Sequence, residues 1–481
     1  MEHDTPVTAS PLSLSISDAT ICAISTPPGV GGIAVVRISG PRAIDITDSV
    51  WEGKSLASAQ SHTAHLGNII DPDAAPGEPP LDQAVATVYR SPRSFTGEDV
   101  VEISVHGSRW IQSRLIKILI DRGCRLAEPG EFTRRAFASG RLDLAEAEAV
   151  ADVIAASSKN AHRLAASQMR GDFSKVLETL RNQLLDLASL LELELDFSEE
   201  DVEFASREKL IGTADEILRL VTRLASSFST GQAIKDGIPV AIVGEPNAGK
   251  STLLNALLQD NRAIVSNIPG TTRDTIEDTI EINGILYRFI DTAGLRNTPA
   301  DEVEALGIGR TLDKISQARI VIWVLPPDFA DLGQLSSEIT SRLSDDTALI
   351  VAVNKIDIIS VDQNKITTAI SATIPRSAST IFISAHTGQN IDRLQSLLHE
   401  VSGANLIENA DVIVTNARHY EALVSAKTSI TRVIDGLHTG LSGDFIAQDL
   451  RETIHHLGTI TGTITTPEIL TTIFTRFCIG K

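Results

Sequence analysis

The feature that constrains the fold most is a short segment joining an apolar strand pattern to a helical one. Residues 244–251 read Gly-Glu-Pro-Asn-Ala-Gly-Lys-Ser, which satisfies the pattern G-x-x-x-x-G-K-S/T. The apolar run Ile238–Val243 precedes this segment, and a helical pattern follows it from Thr252. In such a segment the glycines let backbone N–H groups close around phosphates, the lysine reaches the β- and γ-phosphates, and the serine ligates magnesium. The segment therefore predicts a phosphate-binding loop in a doubly wound α/β domain.

Three more motifs follow in order, each at the end of a strand pattern. Residues 291–294 (Asp-Thr-Ala-Gly) offer a carboxylate for magnesium through water and a glycine N–H that senses the γ-phosphate. Residues 354–357 (Asn-Lys-Ile-Asp) end in a carboxylate that can accept hydrogen bonds from N1 and the exocyclic amine of guanine, groups that adenine lacks. Residues 384–386 (Ser-Ala-His) fit the loop that closes over the base. The motifs together predict binding of GTP.

Between the first and second motifs lies a candidate switch, residues 270–274 (Gly-Thr-Thr-Arg-Asp). A threonine here can complete magnesium coordination and order its loop only while the γ-phosphate is present. The alternative is a polar β-turn. The residues predicted to contact GTP are Asn247, Ala248, Gly249, Lys250, Ser251, Thr252, Gly270, Thr271, Thr272, Asp291, Thr292, Ala293, Gly294, Asn354, Lys355, Asp357, Ser384, Ala385 and His386.

The residue that orients the attacking water is not the usual glutamine, because Leu295 follows the second motif. Two substitutes are open. Asn247 could hold a monovalent cation beside the phosphates, and an acidic residue in the stretch Asp301–Glu304 could orient water. The alternatives, without a role in catalysis, are that Asn247 only forms a turn and that the carboxylates are only solvated.

The hydrophobic pattern divides the chain into several domains. Residues 20–140 mix short β-rich runs with one amphipathic helix, Ile111–Asp121, as in a compact α+β domain. Leucines from Leu177 to Leu191, and apolar residues from Leu210 to Leu224, recur at helical spacing. We therefore expect a multidomain α/β and α+β fold, in which the P-loop GTPase domain is inserted into an α-helical domain and an α+β domain comes first. The expected bounds are 1–19 for a flexible tail, 20–140 for the α+β domain, 141–235 and 404–481 for the helical domain, and 236–403 for the GTPase domain.

Charge and cysteine content limit the partners and the compartment. The chain has 481 residues, with 42 Lys plus Arg against 62 Asp plus Glu and a formal net charge of −20. A broad nucleic-acid-binding face is disfavoured, since phosphate contacts need clustered positive charge. The 3 cysteines lack the spacing of a zinc site or disulfide framework, which favours a reducing, cytoplasmic location. No apolar run approaches the roughly 20 residues that span a bilayer, so no membrane contact is expected.

Nearly the whole chain resembles the bacterial tRNA uridine 5-carboxymethylaminomethyl modification GTPases. Near the N-terminus, the resemblance rests on Pro27–Gly29, Gly31-Gly32 and Arg37–Gly40. The other matching segments, besides the GTPase motifs, are Ser94–Asp99, Pro129–Phe137, Leu142–Ala149 and the ending Phe477-Cys478-Ile479-Gly480-Lys481.

The resemblance implies a folate-binding N-terminal domain that also forms a homodimer. It implies a GTPase that depends on magnesium and potassium. With an FAD-dependent partner in a heterotetramer, such a protein adds a (carboxymethyl)aminomethyl group to carbon 5 of the wobble uridine of certain tRNAs. The one-carbon unit comes from a tetrahydrofolate, and the bound form is expected to be the 5,10-methylene or 5-formyl derivative.

Specific residues carry over from the family onto this sequence. The resemblance assigns magnesium to Ser251 and Thr272. It assigns the water-orienting glutamate to Glu304, with Glu302 as the alternative because this chain is one residue longer after Leu295. Cys478 is assigned a catalytic role that stays open. The resemblance assigns potassium to Asn247, Ser266, Ile268 and Thr271, and folate to Arg37, Glu102, Arg141 and Lys481. It also adds Ser266, Asn267, Ile268 and Pro269 to the residues expected to contact GTP.

Two other kinds of function compete with this one. A ribosome-assembly or translational GTPase would bind RNA directly, and such a protein usually carries an appended basic RNA-binding module. The C-terminal part of this chain has no basic cluster. A non-catalytic GTP-binding scaffold is opposed by the intact phosphate and magnesium motifs.

Overall fold

The computed structural model describes residues 18–196, 207–260, 278–290, 315–329, 333–344, 346–358, 362–374, 378–402, 412–475 and 477–480. The chain divides into two compact units. The first unit lies within residues 1–151, 168–218 and 425–481, and the second lies within residues 152–167 and 219–424.

The first unit begins with a seven-stranded sheet. Its strands pair in the order β3-β4-β5-β6-β2-β1-β7, and all pairs are antiparallel except β1 with β7. One face is buried: Ala84, Ala86 and Val88 alternate with exposed or half-buried positions along β5, and Leu115 and Leu119 of helix α2 pack on that face. The elements are β1 (Ile21–Ile24), β2 (Gly31–Ser39), β3 (Trp51–Gly53), β4 (Thr63–Ile69), β5 (Asp82–Tyr89), β6 (Val100–Gly107), β7 (Arg125–Leu126), α1 (Ala43–Asp48), α2 (Arg109–Asp121) and α3 (Glu131–Ala138).

Long helices follow the sheet, as their apolar periodicity predicts. The helices are α4 (Leu144–Ala155), α5 (Lys159–Met169), α6 (Asp172–Asp196), α7 (Arg207–Ser226) and α8 (Phe228–Asp236). The predicted stripes are confirmed, since their residues are each at most 3% exposed: Leu177, Leu180, Leu184, Leu187 and Leu191 on α6, and Leu210, Ala214, Ile217, Val221 and Leu224 on α7. Each stripe therefore lies on the buried side of its helix.

The second unit contains the predicted α/β domain. Its sheet has the order β13-β12-β11-β8-β10-β9, and all pairs are parallel except β9 with β10. Strand β8 lies between β10 and β11, so the strand order reverses at the strand that leads into the phosphate-binding loop. The elements are β8 (Ile238–Val243), β9 (Asp278–Ile282), β10 (Ile285–Phe289), β11 (Ile320–Leu325), β12 (Ala348–Val353), β13 (Ser379–Phe382), α9 (Lys250–Asp260), α10 (Gly333–Thr340), α11 (Gln363–Thr373) and α12 (Ile391–Val401).

The last helices are α13 (Ala417–Thr439), α14 (Gly443–Thr461) and α15 (Pro467–Phe474). The apolar pattern predicts that Val424, Ile430, Val433 and Leu437 lie on one side of the helix. The prediction is wrong for Val424, which is 40% exposed, whereas the other three are buried. Its neighbour Leu423 is fully buried and is the residue in register with the other three. The last helix ends at Phe474, so Phe477 lies beyond it. Among the described residues, no helix is both long and apolar enough to cross a membrane.

Candidate nucleotide site and N-terminal ligand site

The phosphate-binding loop needs glycine at two positions. A Cβ added at Gly244 would lie 2.3 Å from the carbonyl oxygen of Val324, and one added at Gly249 would lie 2.3 Å from Nδ2 of Asn354. Both glycines have positive φ angles, 147° and 99°. Asn247 also has a left-handed backbone, with φ of 63°. The loop leads directly into the N-terminus of α9, where free backbone N–H groups and the helix dipole favour an anion.

Lys250 is held over the loop by the loop's own backbone. Its Nζ donates hydrogen bonds to the carbonyl oxygens of Gly244 at 2.9 Å and Glu245 at 2.8 Å. Burial lowers the pKa of Lys250. Because these carbonyls are neutral, a phosphate placed at the loop would be a stronger partner for the ammonium group. Ser251 and Thr252 lie exposed in the first turn of α9.

Asn354 joins the phosphate-binding loop to the base-recognition loops. Its side chain is buried, donates from Nδ2 to the carbonyl oxygen of Ala248 at 2.9 Å, and accepts at Oδ1 from the backbone N–H of Ala385 at 2.9 Å. One amide group thus fixes the distance between residues 247–251 and residues 384–386. Lys355 follows with a left-handed backbone, φ 66°.

Asp357 lies exposed beside this bridge, where a base could reach it. A hydrogen bond with the Ser384 side chain, and more weakly the nearby His386, lower the pKa of Asp357. Its carboxylate is therefore ionised at neutral pH and can accept from donors on the guanine edge. Ser384 is fully buried, and its Oγ accepts from the Thr387 N–H at 3.2 Å, which fixes the loop.

Several predicted site residues lie outside the described residues. Strands β9 and β10 lie between two such stretches, residues 261–277 and 291–314. The residues concerned are Ser266, Asn267, Ile268, Pro269, Gly270, Thr271, Thr272, Asp291, Thr292, Ala293, Gly294, Leu295, Glu302, Glu304 and Lys481.

A second cluster lies on the N-terminal sheet around Arg37. The register of β2 and β6 places Arg37 opposite Glu102, and Arg37 Nε donates to Glu102 Oε1 at 2.8 Å. The guanidinium carbon lies 5.3 Å from the ring centre of Phe95 and 5.6 Å from that of Phe132. Residue-by-residue reasoning missed both rings, although both stand inside the segments 94–99 and 129–137 that carry the resemblance. A polar pair beside two aromatic rings can bind a flat, polar ligand.

Arg141 and the C-terminal segment pack on neighbouring parts of the N-terminal fold. Arg141 lies exposed, and a Cβ added at Gly97 would come 3.3 Å from its Cγ, so its stem runs along the loop that carries Phe95. At the C-terminus, Ser25 Oγ donates to the carbonyl oxygen of Gly480 at 3.1 Å. The exposed Cys478 is carried on this docked segment.

A mostly parallel sheet has a phosphate-binding loop at the point where its strand order reverses, and an Asn-Lys-x-Asp loop is bridged to that loop. This arrangement defines a P-loop GTPase. The family model of the MnmE helical domain matches residues 144–478, and that of the GTP-binding protein TrmE N-terminus matches residues 20–141. The chain belongs to the MnmE family of tRNA modification GTPases.

Individual relatives match over the full length. The tRNA modification GTPase MnmE of Parabacteroides distasonis is 52% identical over 471 residues, covering 96% of this chain and 100% of the relative. The proteins of the same name from Bacteroides fragilis (strain ATCC 25285) and Cytophaga hutchinsonii are 50% and 47% identical, each over 96% of this chain, and 99% and 98% of the relatives. A solved GTP-binding protein from Sulfolobus solfataricus in complex with GDP is 19% identical over 47% of this chain and 67% of its own, with a TM-score of 0.28, which adds nothing to the fold described above.

Proposed function

We propose that this protein is a potassium-activated GTPase. With an FAD-dependent partner, it would use GTP hydrolysis to support addition of a (carboxymethyl)aminomethyl group to carbon 5 of the wobble uridine in certain tRNAs. Family membership supports tRNA modification. The observation that carries the nucleotide part is the Asn354 bridge, because it holds the phosphate-binding loop and the base-recognition loop in one rigid arrangement.

The chain's own residues supply most of what GTP needs. Lys250 would exchange its two carbonyl acceptors for phosphate oxygens, and Asp357 would accept hydrogen bonds from the guanine edge. Ser251 presents a hydroxyl oxygen at the start of α9, and magnesium prefers oxygen ligands. Thr272 would be the second magnesium ligand. Bound metal cations would offset the negative charge that develops on the phosphates.

Asn247 fits a potassium ligand in the same loop. Its side chain carries an amide oxygen, and the residue lies exposed between Glu245 and Lys250, with the left-handed backbone noted above. Ser266, Ile268 and Thr271 would complete the shell, the first two through backbone oxygens. Glu304, or Glu302, would orient the attacking water.

The test of this mechanism is the steady-state GTP hydrolysis rate in potassium and in sodium buffer of equal ionic strength. We expect strong stimulation by potassium that is lost in Asn247→Ala. A matched control is Asn364→Ala, which removes an exposed amide from α11 and should leave the stimulation intact. Equal rates of the unmodified protein in the two salts would contradict potassium activation.

The Arg37 cluster fits a tetrahydrofolate, in the 5,10-methylene or 5-formyl form. A pterin ring is flat and carries donors and acceptors on its edge, and Glu102 and Arg37 offer an acceptor and donors beside the Phe95 and Phe132 rings. Arg141 and Lys481 would add positive charge for the carboxylates of the folate tail. When bound, the folate would supply the one-carbon unit, and Cys478 on the docked C-terminal segment would be the catalytic thiol.

The N-terminal sheet also supports a homodimer. Its outer face exposes large apolar side chains, with Leu66 at 66% and its cross-strand partner Val85 at 37%. Ile33 on β2 is 69% exposed. Burial of such a patch against a second copy would remove apolar surface from water.

The proposal further includes the FAD-dependent protein as a partner in a heterotetramer and tRNA as the substrate. It also includes a cytoplasmic location, which the scattered cysteines favour.

A further inference from the structure

The two rings that flank Arg37 belong to separate segments, and one ion pair joins them. Phe95 lies in the loop of residues 94–99, and Phe132 lies on α3. Arg135, one turn after Phe132, donates from Nη1 to both carboxylate oxygens of Glu98, at 3.0 and 3.1 Å. The Glu98–Arg135 pair therefore sets how far the Phe95 segment stands from the Phe132 segment.

Arg135, the member of this ion pair that lies on α3, is fixed inside the domain. The Arg135 side chain is 3% exposed, and its Nη2 donates to Glu131 Oε1 at 3.0 Å and to the carbonyl oxygen of Ala19 at 2.8 Å. The Glu131 side chain is 2% exposed. A guanidinium held by three partners has little freedom to rotate, so Glu98 meets a fixed point.

The same Glu98 carboxylate also reaches the strand that carries Arg37. Ser39 Oγ donates to Glu98 Oε2 at 2.6 Å and lies 2.7 Å from Thr96 Oγ1. Ser39 is fully buried and is two residues after Arg37 in β2, so the two side chains project from the same face of the strand. Glu98 thus contacts both supports of the cluster, the strand of Arg37 and the helix of Phe132.

We propose that Glu98 and Arg135 are positioning residues for the ligand of the Arg37 cluster, and that they act by fixing the Phe95 ring relative to Arg37 and Phe132. The inference rests on the folate site proposed above. Neither residue is among those assigned to the ligand. A buried ion pair adds little net stability compared with apolar packing, whereas a ligand site needs side chains fixed within about half an ångström.

The test measures binding of 5-formyltetrahydrofolate by calorimetry to the full chain and to Glu98→Gln. Glutamine keeps the size of the side chain but weakens the charge-assisted bonds to Arg135, and we expect the affinity to fall about tenfold to a hundredfold. Glu128→Gln is the matched control, since it weakens an exposed ion pair with Arg134 on the same helix and should bind like the unmodified protein. The basal rate of GTP hydrolysis should not change in either variant.

A double-mutant cycle with Phe95→Leu separates positioning from a general structural effect. If Glu98 acts through the Phe95 ring, the double variant should bind no more weakly than the weaker single variant. Losses that multiply would overturn the proposal. If Glu98→Gln does not fold, Ser39→Ala replaces it, because it removes one hydrogen bond to the same carboxylate. Folate binding by the unmodified protein with equal binding by Glu98→Gln overturns this proposal alone, whereas no binding by the unmodified protein overturns the folate site as well.

Discussion

At the scale of single residues, the side chain of Asn354 connects two loops of the nucleotide site. Replacing it with alanine would leave the carbonyl oxygen of Ala248 and the N–H of Ala385 without their partner in a buried region. A buried group that loses its partner costs about 1–3 kcal/mol. We expect Asn354→Ala to weaken GTP binding about tenfold to a hundredfold, measured by titration with a fluorescent GTP analogue. Asn364→Ala should bind normally, and equal affinity in both variants would refute the bridge.

Glu131 gives a prediction about pH. Burial opposes its ionisation, but hydrogen bonds from Arg125, the Glu128 backbone and Arg135 outweigh burial, and the pKa of Glu131 is lowered. A carboxyl group with a lowered folded-state pKa contributes stability that is present above its unfolded pKa, about 4.3, and is lost as the pH falls through the folded value.

Glu131→Gln should therefore lower the free energy of unfolding at pH 7 by about 3 kcal/mol, since it removes the negative charge that pairs with Arg125 and with the buried Arg135. The deficit should shrink as the pH falls below about 4, because the unmodified protein then loses the same contribution. Urea denaturation between pH 7 and pH 3 measures this. A deficit that is constant with pH would mean that the charge of Glu131 is not the source.

At the scale of elements, helix α5 depends on the β9–β10 hairpin. The Lys159 N–H donates to Glu281 Oε1 at 3.3 Å, and the Asn160 N–H donates to the carbonyl oxygen of Gly284 at 3.1 Å. The Ala161 N–H donates to Oγ of Ser158 at 3.2 Å. The first N–H groups of a helix have no partner within it, so the hairpin supplies acceptors that α5 itself lacks.

Ser158→Ala removes the N-cap of α5, and its cost should be about 1 kcal/mol. The adjacent Ser157 is exposed, whereas Ser158 is buried, so Ser157→Ala is a matched control that should change stability little. Thermal unfolding of the two variants measures the difference. Equal melting temperatures would show that the hairpin alone is sufficient to start the helix.

The strands of the two sheets show what a sequence pattern can predict. Strand β8 has the bounds of the apolar run Ile238–Val243 noted in the sequence, because uninterrupted apolar runs between breakers are typical of buried parallel strands. The Asn283-Gly284 pair forms the turn between β9 and β10, with φ angles of 51° and 82°, as this residue pair favours in a two-residue hairpin loop. Strand β4 was not predicted, since Thr63–Ile69 contains a glycine and few β-branched residues and is only half-buried. Its position in the sheet depends on pairing with β5, which local propensity does not encode.

At the scale of the whole molecule, the sites join residues far apart in sequence. The motifs predict which loops bind the nucleotide, because each motif combines a backbone shape with its chemistry. They do not predict that Phe95 and Phe132 flank Arg37, since that depends on how a loop and a helix pack on one strand. The docking of Gly480 against Ser25, 455 residues earlier, is likewise a product of tertiary packing.

That docking leads to the last prediction. Gly480 has a φ of 95°, and a Cβ added to it would lie 2.3 Å from the carbonyl oxygen of Ile24, the last residue of β1. Gly480→Ala should therefore detach the C-terminal segment, because a backbone atom cannot yield as the end of a flexible side chain can. We expect faster amide hydrogen exchange at residues 477–480 and weaker folate binding, since Lys481 is the next residue.

Gly140→Ala separates this clash from simple backbone strain. Gly140 also has a positive φ, 72°, but a Cβ added there would have no atom within 4 Å. Both substitutions pay the cost of the left-handed backbone, about 1–2 kcal/mol, and only Gly480→Ala adds the collision with β1. Faster exchange at residues 477–480 in Gly480→Ala alone would support docking by close backbone approach. Unchanged exchange there in Gly480→Ala would mean that Phe477, which packs on Phe474 with ring centres 5.6 Å apart, holds the segment without help from Gly480.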